Sequence, residues 1–362
     1  MSEVKAPQKA ARLVDVAEAA GVSRGTASNV FSHPELVREE VRERVQAAAR
    51  KLGYRGPDPK GRLLRAGKVG SIGIATARPV SYFFEDPFAR VLMSGISSAC
   101  DENGEGISLV AASSDAKLAE NIRGALVDGF ILFCVRGGGS PEPSKLIELT
   151  RERQLPFVAL ELGFSDDTVS SIGIDNFEGA RLAARHLAEL GHRRFAVLSL
   201  QIMEEGIGPA SAERIENAVY ADTRKRIRGY FAALSEFGID TTKIPVYETR
   251  ADEASTRANL ERIFASDEPP TAILAMSDRV ALAALAWFKE HDIRVPQDVS
   301  VIGFDGIPGS EASDPPLTTI AQPIAEIGRR AVQAILDYDG TLRRQTIDVE
   351  LVVRGSTAEP RS

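Results

Sequence analysis

Cysteine, histidine and tryptophan are scarce in this chain, at two, four and one residues. Cys100 and Cys134 both lie in apolar surroundings. They are too few for a disulfide framework or a cysteine metal cluster, and read as small core residues of a reducing compartment. None of His33, His186, His192 and His291 sits in a metal-binding or nucleophile motif, so no cofactor and no metal site is expected. Also missing is any apolar run of about 18 residues, the length that crosses a bilayer. The best stretch, Ala272 to Phe288, is broken by Ser277, Asp278 and Arg279. Met1 to Ala11 is polar and charged with no apolar stretch, which predicts a protein that stays in the cytoplasm. Phosphate-binding loops of the Gly-rich or Walker type are absent too. Gly137-Gly138-Gly139 follows a strand candidate, but Ser140-Pro141 comes next and offers no phosphate cradle. These absences argue against a membrane protein and against an enzyme.

What is present is a division of charge and length. With 362 residues, 43% hydrophobic and 26% charged, the chain exceeds one core and predicts several globular domains. Met1 to Lys68 carries 14 Lys/Arg against 8 Asp/Glu, a net of +6; the remainder carries 30 against 43, a net of −13. A basic head on an acidic body is the asymmetry of a chain that touches nucleic acid at one end.

The head has the periodicity of a small helical unit. Leu13 to Ala20 has helical apolar spacing at Leu13, Val16, Ala17 and Ala20. Gly21 stops it, and Ser23 is placed to cap a second helix, Arg24 to Phe31. The joint of three residues has the length of a helix-turn-helix joint. A third helix, Glu39 to Leu52, presents Val41, Val45, Ala48 and Leu52 to the others, since helices this short need a shared core. In such a unit the first turn of the second helix meets base edges. That assigns Arg24, Gly25, Thr26 and Asn29 to the bases and leaves Ser23 and Ser28 for phosphates. Arg reads guanine and Asn reads adenine, while Gly25 permits close approach.

Val14-Asp15-Val16-Ala17-Glu18-Ala19-Ala20-Gly21-Val22-Ser23, with Arg42-Glu43-Arg44-Val45 and Leu52-Gly53-Tyr54, resembles the headpiece of the lac repressor (LacI/GalR) family of bacterial regulators. Asn29 stands where that family usually has Arg, Ala27 where Val is common, and Arg38 where a Ser or Thr cap starts the third helix. Arg55 to Gly61 is a turn-rich connection, followed by Arg62-Leu63-Leu64-Arg65-Ala66-Gly67-Lys68, too short for a free helix. By the resemblance this is a hinge that orders when two copies meet on DNA. Leu64 would be the wedge at the minor groove, and Arg62, Arg65 and Lys68 would neutralise phosphates.

From Val69 onward, short apolar runs alternate with helical stretches. Strand candidates are 69–76, 106–112, 129–135, 157–162, 169–175, 195–200, 244–249, 271–276, 299–304 and 347–353, with helices between most of them, such as 177–190, 223–237, 254–265, 278–291 and 323–338. Alternation with continuous apolar strands predicts doubly wound parallel sheets, and ten strands divide better into two sheets than one. Ligands bind beyond the carboxyl ends of such strands. There lie Glu161, Asp175, Ser277 with Asp278, and Asp305, a set suited to sugar hydroxyls. Each carboxylate alone also reads as a helix cap. Tyr82, Phe83, Phe84 and Phe88 offer faces for an apolar side of a ligand.

The resemblance continues through Asp86-Pro87-Phe88, Val127-Asp128-Gly129, Gly191-His192-Arg193-Arg194, Val295 to Asp305 and Pro316 to Ile320. It implies an α/β fold: a three-helix headpiece at 1–54, a linker and hinge at 55–68, and a periplasmic-binding-protein-like sensor at 69–362. The lobes of the sensor would be 69–174 with 322–346, and 175–321 with 347–362. It also implies Arg226 and Asp305 as effector contacts, with Phe88, Glu161 and Ser277 at further cleft positions. Glu161 replaces a common Asp, Ser277 a common Asn and Gly306 a common second Asp. The implied protein is a dimeric regulator, most simply a repressor, that binds palindromic operator DNA under the control of a sugar-like effector. Whether dimers pair into tetramers stays open, although Gly355 to Ser362 has no leucine heptads. The long segment Gln201 to Asp222 is open between a lid and a surface loop.

Overall fold

The computed structural model describes residues 11–56, 67–111, 114–133, 143–160 and 166–361. The chain forms two compact units, Met1–Val69 and Gly70–Ser362. In the first, α1 (Leu13–Ala20), α2 (Arg24–Ser32) and α3 (Glu39–Leu52) surround a core whose fully buried members are all Ala or Val: Val16, Ala17, Ala20, Ala27, Val30, Val45 and Ala49. Ser23 caps α2 by accepting from the Thr26 N–H at 3.0 Å. Arg38 gives α3 no side-chain cap. Leu52 does not join the core: it is 40% exposed, because the last turn of α3 turns Ala49 inward, four residues after Val45. Phe31 and Tyr54 meet edge to face, 5.6 Å between centroids, and close the side of the unit.

The second unit runs β1 (Ser71–Thr76), α4 (Tyr82–Glu85), α5 (Pro87–Asn103), β2 (Gly106–Ala111), α6 (Asp115–Gly124), β3 (Gly129–Phe133), α7 (Pro143–Arg151), β4 (Phe157–Leu160) and β5 (Ser171–Ile174). It continues with α8 (Asn176–Glu189), β6 (Phe195–Ser199), β7 (Gly208–Pro209), α9 (Ala212–Glu216), α10 (Ala221–Glu236), β8 (Val246–Glu248), α11 (Glu253–Phe264), β9 (Ala272–Ala275), α12 (Asp278–Glu290), β10 (Ser300–Asp305), α13 (Pro308–Ala312) and β11 (Thr318–Ala321). It ends with α14 (Ile324–Leu336), β12 (Arg344–Ile347) and β13 (Glu350–Val352). Two sheets result, ordered β12-β5-β4-β3-β1-β2 and β13-β11-β10-β9-β6-β8-β7. The first is parallel throughout; in the second, β13 and β7 run antiparallel to their neighbours. The central strands β3, β6, β9 and β10 are buried along their whole length, as covering both faces with helices requires.

We call the lobe of the first sheet the N-lobe and the other the C-lobe. The chain passes between them three times: after β5, after β11 and after β12. After β11 it returns to pack α14 on α5 and on the N-lobe strands β3, β4 and β5. Two sequence readings change here. The run 347–353 is not one strand: it ends β12 in one sheet and forms β13 in the other, so it is a crossover. Thr318–Ala321, not among the strand candidates, is β11 and lies between β10 and β13. The segment Gln201 to Asp222 is folded onto the sheet edge. Its β7 pairs with β8, and the buried Glu248 carboxylate accepts from the Ile202 N–H at 2.9 Å and holds the Arg214 guanidinium. Pro209 blunts that edge.

Candidate functional site

In the headpiece, Ser23, Arg24 and Gly25 are exposed, and Thr26, Ser28 and Asn29 are half-buried on the same helix. Ala27 and Val30, interleaved with them, face the core. The helix is therefore divided between an inward pair and an outward polar row. Arg24 and Asn29 have no side-chain hydrogen bond or ion pair among the described residues, so both are available to a ligand. Thr26 is partly committed, its hydroxyl lying 2.9 Å from that of Ser23. Arg62 and Leu64 lie outside the described residues, as does Glu161 in the sensor.

In the sensor, the carboxyl ends of β9 and β10 carry a dense polar cluster. Ser277 follows β9 and caps α12, accepting from the Val280 N–H at 3.3 Å. Asp278 is not the cap. It is fully buried and accepts four hydrogen bonds: from Gly306 N–H (2.7 Å), Ile307 N–H (3.0 Å), the Ser310 hydroxyl (2.6 Å) and the Thr319 hydroxyl (2.6 Å). Burial pushes its carboxyl above the ordinary carboxylate value, and these four donors pull against that shift. Gly303 makes the space: a Cβ there would lie 2.1 Å from an Asp278 carboxylate oxygen. Asp175 is exposed and caps α8, accepting from the Phe177 and Glu178 N–H groups at 3.0 Å.

Asp305 ends β10 with φ at +118°, a backbone conformation that costs a non-glycine residue about 1–3 kcal/mol. The residue after it, Gly306, has φ +74°, and a Cβ there would lie 2.8 Å from Ala321. A side chain at that position would therefore press on β11 in a backbone conformation that disfavours it. Asp305 accepts from the Gln322 side-chain amide at 2.8 Å and faces Arg226 at 3.8 Å. Burial raises its carboxyl well above the ordinary value, Arg226 opposes the shift, and the carboxylates of Asp278 and Asp86 add to it.

Arg226, from the second turn of α10, is 5% exposed. Its Nε donates to the Asn176 side-chain carbonyl at 2.8 Å, its Nη1 to the Met276 carbonyl at 2.5 Å, and its guanidinium lies 3.7 Å from the centroid of the Phe304 ring. Three elements thus fix one cation. One turn further on, the Tyr230 hydroxyl is buried without a partner among the described residues, as is Oε1 of Gln322. A buried polar atom left so costs about 1–3 kcal/mol until something satisfies it.

The N-lobe contributes aromatic rings. Tyr82 and Phe88 both stack on Phe133, with centroids 6.0 and 6.3 Å apart. Two neighbours depart from the stacking role expected for them: Phe83 is sealed in the core, and Phe84 is 65% exposed. An ion pair joins the lobes. Asp86 caps α5 with one oxygen, accepting from the Ala89 N–H at 3.0 Å, and takes Nη1 of Arg279 with the other at 2.8 Å.

The structure thus brings together Arg226, Asp305 and Ser277 around the ends of β9 and β10, and sets Phe88 in the aromatic stack of the N-lobe. Asn176, Tyr230, Gln322 and the Asp86–Arg279 pair were not foreseen. Gln322 follows β11 as Asp305 ends β10, so the unrecognised strand concealed it. Asn176 was adjacent to a residue already singled out. The His192 ring is buried against Thr271, Ser300 and the Ala358 carbonyl and ties the segment around Ala358 to the C-lobe sheet.

Two families of known proteins match. Residues 12–56 match bacterial regulatory proteins of the lacI family, and residues 184–357 match the periplasmic binding protein-like domain. The HTH-type transcriptional regulator Rv3575c of Mycobacterium tuberculosis is 35% identical over 98% of both chains. Among solved structures, the lac repressor dimer bound to operator and the anti-inducer ONPF is 27% identical, with a TM-score of 0.74 over 97% of this chain and 100% of that one. The transcriptional regulator CelR–cellobiose complex is also 27% identical, with a TM-score of 0.68 over 96% and 99%. These relatives are regulators and not enzymes, and this chain belongs to the lacI family of bacterial transcriptional regulators.

Proposed function

We propose that this regulator is a cytoplasmic repressor that binds a palindromic operator as a homodimer, and that a small polar effector, a sugar or sugar derivative, sets its operator affinity from the cleft between the lobes. The headpiece is 1–54 and the linker and hinge 55–68; 69–362 holds the effector and the dimer contacts, its lobes being 69–174 with 322–346 and 175–321 with 347–362. Arg24, Gly25, Thr26 and Asn29 meet the bases, Ser23 and Ser28 the backbone, Arg62 a phosphate, and Leu64 the minor groove. Phe88, Glu161, Arg226, Ser277 and Asp305 meet the effector. The observation that carries the cleft reading is the cluster at Asp305, where a strained acid, a fixed guanidinium and two buried polar atoms with no partner among the described residues converge beyond the strands. Effector binding changes the angle between lobes and with it the separation of the two hinges. For this to switch anything, the effector must bind the two states unequally.

The test is selection of bound sites from random duplex DNA by the purified protein. A palindrome of two half-sites about a flexible central step is the expected product. Its affinity should fall with salt at a log-log slope of about −0.9 per neutralised phosphate. Recovery of no sequence preference, with or without the candidate ligands, overturns the operator reading.

A further inference from the structure

Arg78 differs from the other charged groups around the cleft. It lies two residues beyond the carboxyl end of β1, on the side where parallel sheets receive ligands. Its guanidinium sits over the Tyr82 ring, 4.6 Å from the centroid, and its Nε is buried with no acceptor among the described residues. Among the described residues no carboxylate pairs with it. Of the described carboxylates whose charge reaches Tyr82, Asp86 holds Arg279 at 2.8 Å and Asp305 faces Arg226 at 3.8 Å. Tyr82, under Arg78, feels the charges of Asp86 on its own lobe and of Arg279 and Asp305 on the other. The Arg78–Tyr82 pair therefore stands on the interlobe face.

We propose that Arg78 is an anion-recognition residue of the effector cleft and that the effector carries a phosphate or carboxylate group. The proposal rests on the reading of the cleft given above. A guanidinium sheltered on one side by an aromatic ring keeps its free N–H groups in a fixed fork, the geometry that grips an oxyanion bidentately. Burial makes the unmet Nε costly, and an anionic ligand oxygen removes that cost. The polyol part of the same ligand meets Asp305, Gln322 and Arg226.

The test uses the full-length protein and matched probes at constant ionic strength: glucose, gluconate and glucose 6-phosphate, and ribose with ribose 5-phosphate, read by calorimetry and thermal melting. In each series that binds, the anionic member is expected to bind about tenfold or more tightly than the neutral one. Preference for phosphate over carboxylate then identifies the group. Arg78→Gln brings the anionic member down to the level of its neutral partner, and Arg78→Lys restores part of the difference. The unliganded melting temperature of each variant verifies that it has folded.

Equal binding of neutral and charged members overturns the proposal, as does an equal loss for both in Arg78→Gln, which would make Arg78 only a support for Tyr82. If no probe binds, the protein is loaded with a bacterial small-molecule extract, washed and denatured, and the released compounds are weighed by mass spectrometry. Anionic compounds held by the wild type and lost in Arg78→Gln support the proposal. Neutral compounds alone, lost only in Arg226→Ala, overturn it and leave the cleft reading intact. Nothing retained overturns both.

Discussion

The two lobes present opposite kinds of surface to the space between them. On the C-lobe, Asp278 has four donors and Arg226 is held by a side-chain carbonyl, a backbone carbonyl and a ring, so these groups keep their places with no ligand present. On the N-lobe, Tyr82 and Phe88 stack on the buried Phe133, and the guanidinium over Tyr82 has an Nε with no acceptor among the described residues. One face is preorganised by polar contacts at a stability already gained; the other is defined by shape and leaves its polar contact to be made. A ligand that bridges them is positioned by the first and selected by the second.

The largest break in this comparison comes from Asp278→Ala. It strands two hydroxyls and two backbone N–H groups in a fully buried site. The expected loss is about 4 kcal/mol or more, read as a drop in the urea midpoint of unfolding. A loss below about 1 kcal/mol would mean that water replaces the carboxylate freely and that the C-lobe face is not preorganised.

Asp305→Asn gives a smaller effect of opposite sign. The carboxyl of Asp305 is raised well above 3.8 in the folded protein, so the folded state keeps a proton at pH values where the unfolded chain has released it. Its contribution to stability is therefore greatest at acid pH and declines as pH rises from the ordinary carboxylate range through the raised value. The amide has no such slope. The stability of Asp305→Asn relative to wild type should grow through that window and level off above it, while the response to effector is lost. A wild type that gains on the variant as pH rises would mean that Arg226 outweighs burial and holds Asp305 ionised.

How far the sequence revealed this site follows the same division. The headpiece was readable almost to the residue, because Gly21, Ser23 and Gly53 mark helix ends by local chemistry. Its error at Leu52 is a question of helix phase in the last turn, where Ala49 takes the inward position. In the sensor, Arg226 and Asp305 were named through a family resemblance and the ends of apolar strands. Asp278 was visible as a carboxylate, but its role depends on partners 28 to 41 residues away, which no local pattern encodes. The Tyr230 hydroxyl and Oε1 of Gln322 matter because they have no partner among the described residues, a property that exists only after folding. The short run Thr318–Ala321, set between Pro315-Pro316 and Pro323, gave too little alternation to read as a strand.

The smallest predicted effect falls on the N-lobe face. If that face works through rings, Tyr82→Phe should change stability by less than about 0.5 kcal/mol, since the stack on Phe133 and the ring under Arg78 are both retained. The phenol itself gains little from ionisation, because burial raises its pKa first and the Asp86 carboxylate raises it further. Tyr82→Ala, by contrast, removes the ring and should cost about 3 kcal/mol, the toll of emptying a packed aromatic site. Chemical unfolding of the two variants separates hydroxyl from ring. A Tyr82→Phe loss approaching that of Tyr82→Ala would make the hydroxyl a structural partner, and the N-lobe face would then be polar and preorganised like the C-lobe face it is contrasted with.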